Sequence, residues 1–66
     1  VDAVVTRVDP DDGEIELATW HGDGRIQLWN GAGGAQAATL GEPVAYHPRH
    51  HVLAVGTQRF NALRLA

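Results

Sequence analysis

Cysteine, serine and lysine are all missing from this chain of 66 residues. Without cysteine there can be no disulfide and no thiolate zinc site, and nothing points to an oxidising compartment. Without serine or cysteine the commonest nucleophiles are gone, and no glycine fingerprint follows a strand and opens a helix. The remaining His, Asp and Thr fall in turns and strand segments, so no catalytic residue and no cofactor is expected, and the chain reads as non-enzymatic. No apolar run approaches the roughly 20 residues that span a bilayer, and no basic stretch followed by an apolar one marks a secretory leader. A soluble protein of the cell interior, cytoplasmic and without a membrane partner, is the expectation. The chain opens on Val1 rather than Met, as a segment of a longer protein would.

Charge is present but uneven. The net charge is −3, which argues against nucleic acid as a partner, because non-specific affinity for it comes mainly from neutralised phosphates. Residues 1–33 carry seven acidic residues and two arginines, whereas residues 34–66 carry Glu42 and three arginines, Arg49, Arg59 and Arg64. Solvated loops account for such an asymmetry without further assumption.

Turn signals divide the chain. Asp9-Pro10-Asp11-Asp12-Gly13, Gly22-Asp23-Gly24 and Asn30-Gly31 combine a preset φ at Pro with tolerance of positive φ at Gly. Between them lie short segments rich in Val, Ile, Leu and Trp: Ala3–Val8, Ile15–Trp20 and Arg25–Trp29. Further strands fit Pro43–His47, Val52–Val55 and Asn61–Leu65, with a weaker one over Ala35–Leu40, and no helix of useful length fits anywhere. An all-β antiparallel meander is predicted. Ile15 and Leu17 share one strand face and Ala18 and Trp20 the other, while Ile26 and Leu28 oppose Trp29. Both faces therefore carry apolar side chains, a demand met by sheets stacked on both sides.

The chain also repeats itself. Pro10 and Pro48 lie 38 positions apart, Leu17-Ala18-Thr19 and Leu53-Ala54-Val55 lie 36 apart, and Ile26-Gln27-Leu28 and Leu63-Arg64-Leu65 lie 37 apart. Self-similarity at this period is the mark of a repeat architecture. The stretch Leu17 to Asn30, with its small-residue strand, Asp23-Gly24 turn and apolar strand ending in Trp29, resembles the core of a WD repeat. Val44-Ala45-Tyr46-His47-Pro48 followed by Val52-Leu53-Ala54-Val55-Gly56 resembles the opening of the next one. The resemblance implies a β-propeller segment of roughly two four-stranded blades, residues 1–41 and an incomplete 42–66. It further implies a scaffold for protein–protein interaction whose partners include the remaining blades or other copies of the chain. A buried network of a hydroxyl, a turn Asp and a Trp indole would map onto Thr19, Asp23 and Trp29. The chain departs from the family where Asn30 replaces its Asp, where Arg59-Phe60 replaces an Asp-Gly turn, and where its usual Gly-His pair is missing, which leaves that network partial.

Other patterns carry less. His47-Pro48-Arg49-His50-His51 suits imidazole-binding metals, but no carboxylate lies close in sequence and no ligand spacing matches, so no metal is expected. Together with Arg59 these residues form a candidate interaction surface instead: His47, Arg49, His50, His51 and Arg59. Placing Gly13 as the sixth residue of a calcium loop puts Val8 first and Pro10 third, where oxygen ligands are needed. Trp20 and Trp29 are expected to be buried between blades. Two alternatives compete with the propeller scaffold. One is a small five-stranded β-barrel adaptor binding nucleic acid or peptide; the other is an anion-binding surface using Arg49, Arg59 and Arg64.

Overall fold

The computed structural model describes residues 1–22 and 24–65. Seven strands form one antiparallel sheet: β1 (Asp2–Asp9), β2 (Glu14–Thr19), β3 (Arg25–Trp29), β4 (Pro43–His47), β5 (Val52–Val55), β6 (Gln58–Asn61) and β7 (Leu63–Arg64). The all-β, antiparallel expectation holds. The strand order β6-β5-β4-β1-β2-β3-β7 adds that β4 returns beside β1, so the first four strands make a Greek key.

Strands from residues 1–41 and 42–66 thus share one sheet, joined by the β1–β4 ladder in which Asp2 faces Ala45 and Val4 faces Pro43. The ends of the sheet nearly meet. The run 58–64 pairs through β6 with β5 and through β7 with β3, broken at Ala62, whose side chain is buried and whose amide donates to His51 O at 2.7 Å. Of the two arrangements the sequence allows, stacked blades and a small barrel, this curled sheet has the character of the barrel. Curling gives each strand one inner and one outer face. A single core results, with Val5, Ile15, Leu17, Leu28, Tyr46 and Leu53 fully buried at its centre. The two-faced apolar pattern arises because the outer face keeps small or half-buried groups, Val4, Ala18, Ala45, Val52 and Ala54.

A bulge sets the phase of β1. Val5 pairs with Leu17 and Val8 with Ile15, although they lie three apart, because the register shifts between Val5 and Arg7. Strict alternation would have turned Val8 outward; the extra residue returns it to the core. The hydroxyl of Thr6, in the bulge, donates to the Glu16 backbone oxygen at 3.1 Å and to its carboxylate at 3.0 Å.

Two expectations are corrected. The weak strand over Ala35–Leu40 is instead a single helical turn, α1 (Gly34–Ala37), which buries Ala35 against the core while Ala38 follows it inward. Alanine has the highest helix propensity, and its small side chain lets the turn sit close over the end of the sheet. The tryptophans are not buried between layers: Trp20 is 59% and Trp29 44% exposed. Both follow from alternation: Leu28 takes an inner position and turns its neighbour Trp29 outward, and Trp20, three positions after the inward Leu17, shares the outer phase of Ala18.

Candidate functional site

Two indentations on the outer surface hold most of the chemistry. The first is built along one cross-strand row, where Asp2 on β1 pairs with Ala45 on β4 and Ala45 pairs with Ala54 on β5. Trp20 closes the near end, its amide donating to Asp2 O at 3.0 Å. The alanines leave a shallow floor, and Trp20, Pro43 and Gly56 rise around it to enclose a groove of about 400 Å³. Its lining is apolar apart from Asp2.

The same row continues to Arg59 on β6, which pairs with Ala54. One step along the strands, His47 pairs with Val52. Side chains from three strands and one turn meet there: His47, His50, Val52 and Arg59 line a second cleft of about 290 Å³. His50 is placed by the β4–β5 turn, in which its amide donates to His47 O at 3.2 Å. His51 completes that turn with a left-handed φ of 55°. Of the five residues expected to form an interaction surface, His47, His50 and Arg59 therefore converge, while Arg49 and His51 belong to the turn beside them. Arg64 lies elsewhere, on β7 opposite Leu28.

The residues of the expected turn network are spread out. Thr19 donates to Gly24 O at 3.3 Å and His21 O at 3.4 Å, holding the hairpin turn. Trp29 stands at the other end of the same hairpin, paired with Glu14, about 17 Å of strand away. Asp23 lies outside the described residues. The side chain that organises this end of the sheet is Asn30, which is buried and bonded on both its amide oxygen and nitrogen. Its position was legible only as a departure from the Trp-Asp ending.

Glu16, on the outer face of β2, sits between a hydroxyl and a guanidinium. The Thr6 hydroxyl, and then the Arg25 guanidinium at 3.1 Å, hold its carboxyl below the usual carboxylate range. Among the described residues no cluster of three or more His, Asp or Glu could hold a metal ion, and no helix is long and apolar enough to cross a membrane. Fold and surface together define a nearly closed, barrel-like antiparallel sheet with two open clefts on the outer face of one half. No family model, no curated protein and no solved structure matches the chain.

Proposed function

We propose that this chain is a non-enzymatic protein-interaction module that seats an extended polypeptide segment in the groove beside Trp20. The observation that supports the reading is the exposure of Trp20, 59%, at the wall of a groove floored by Ala45 and Ala54. An indole left in water next to a flat apolar floor is the composition of an interface hot spot, where Trp is enriched. A partner offering an apolar side chain to the alanines and a basic one to Asp2 matches this lining. The scaffold role implied by the sequence is kept, with a single curled sheet in place of stacked blades.

The acidic balance weighs against the nucleic-acid alternative. The outer face of the β2–β3 hairpin presents Glu14 and Glu16 beside Arg25, Gln27 and Trp29, not a basic surface for phosphates. Selection of peptides from a displayed library against the chain, followed by calorimetric titration of the parent and the Trp20→Ala variant, tests the proposal. Trp20→Ala should weaken the selected peptides by about thirtyfold or more. Peptides that bind the variant as tightly as the parent would exclude this groove.

A further inference from the structure

The second cleft points to a different ligand chemistry. We propose that His47, His50 and Arg59 form a binding site for a phosphate dianion, free or carried as a monoester. The three side chains come from β4, the β4–β5 turn and β6, so only the folded sheet brings them to one cleft. Arg59 supplies a planar fork of donors suited to two phosphate oxygens, and the imidazoles supply single N–H donors from the opposite wall. Val52 forms the apolar side of the cleft.

Among the described residues no carboxylate lies within ion-pair distance of Arg59, and none lines the cleft. The acidic residue placed on this face by the register is Asp2. It sits diagonal to His47 on the neighbouring strand but three strand spacings, about 14 Å, from Arg59. Arg49, exposed in the adjoining turn, is the nearest further cation in sequence. A compact phosphate fits this arrangement better than a nucleic-acid backbone, because the basic residues form one spot and the first half of the chain is acidic.

The site is independent of the Trp20 groove, and the test separates the two. Backbone amide chemical shifts are followed during titration with inorganic phosphate and with an O-phosphoserine peptide, at constant ionic strength. Saturable shifts confined to residues 47–52 and 59 are expected. Arg59→Gln should weaken binding about tenfold or more with an unchanged melting temperature, because the side chain is exposed. Trp20→Ala should leave phosphate binding intact whatever becomes of the groove. Tighter binding of the peptide assigns the site to phosphorylated polypeptides, and tighter binding of inorganic phosphate to the free anion; either supports the site. Shifts spread over Arg7, Arg25 and Arg64 as well, an unaffected Arg59→Gln variant, or steeply salt-dependent binding of a single-stranded oligonucleotide in preference to phosphate would each overturn it.

Discussion

The side-chain amide of Asn30 donates to the backbone carbonyl of Asn61, joining the end of β3 to the end of β6 across 31 residues of sequence. The same side chain accepts the amides of Ala32 and Gly34, each at 2.8 Å. One buried residue thus ties the closing strand to the sheet and satisfies the first turn of α1, where Gly33 offers no capping side chain. The position needs a donor and an acceptor at once, which a side-chain amide supplies and a carboxylate does not.

Replacement of Asn30 should therefore be costly in a graded way. Asn30→Ala leaves two amides and a carbonyl without partners and is expected to destabilise by about 2–4 kcal/mol in denaturant unfolding. Asn30→Asp keeps the acceptor but sets a carboxylate against the Asn61 carbonyl, and should cost about 1–3 kcal/mol at neutral pH. A neutral effect of Asn30→Asp would show that the Asn61 contact contributes nothing.

Two turn glycines should respond differently to alanine. Gly13 has φ +75°, and a Cβ there would stand 2.5 Å from Asn30 O, a backbone atom that cannot swing aside. Gly22 has φ +101° with open space around it. Gly22→Ala carries the strain of a positive φ alone, about 1–2 kcal/mol, and Gly13→Ala adds a backbone clash. Thermal denaturation should rank Gly13→Ala well below Gly22→Ala; equal losses would contradict the close approach.

The acid limb of the stability curve should contain a contribution from Glu16. Its folded pKa is lowered, by Thr6 first and then by Arg25. A depressed folded pKa means the stabilisation is present above the unfolded value and is lost as pH falls through the folded one. Carboxyl-detected NMR should place the Glu16 midpoint below the ordinary glutamate range, and Thr6→Val should raise it. An unchanged midpoint in Thr6→Val would remove the hydroxyl from the explanation.

Assembly supplies a further check. Two isolated blades would leave apolar faces open, so the repeat reading leads to association. The curled sheet instead covers Leu17, Leu28 and Leu53 within one chain. Sedimentation is expected to give a monomer of 7.1 kDa that unfolds cooperatively, with Leu28→Ala costing about 2–5 kcal/mol. Concentration-dependent association abolished by Trp20→Ala would show that the groove is occupied by a second copy.

Local patterns decided the strands. Alternation and turn residues located β1 to β5 almost to the residue, because they depend on spacing of two and on the φ preferences of Pro and Gly, which operate within a few positions. The β2–β3 hairpin follows from them directly, while its register, with Leu17 facing Ile26 and Ile15 facing Leu28, was set only in the folded sheet. The inward residues were equally legible, since Ile15, Leu17, Ile26 and Leu28 recur on one face. The tertiary structure decided how the strands close. An apolar pattern on two faces fits stacked sheets as well as one curled sheet, and only long-range pairings, β1 with β4 and β3 with β7, distinguish them. Those pairings have no local signature. The one-residue bulge that turns Val8 inward and the helical turn at Gly34–Ala37 depend on contacts from elsewhere in the chain. The Trp20 groove belongs to the same class, because Trp20 and Ala54 line it together only once β4 lies beside β1, whereas the consecutive hairpins β4-β5-β6 bring His47 and Arg59 to one cleft.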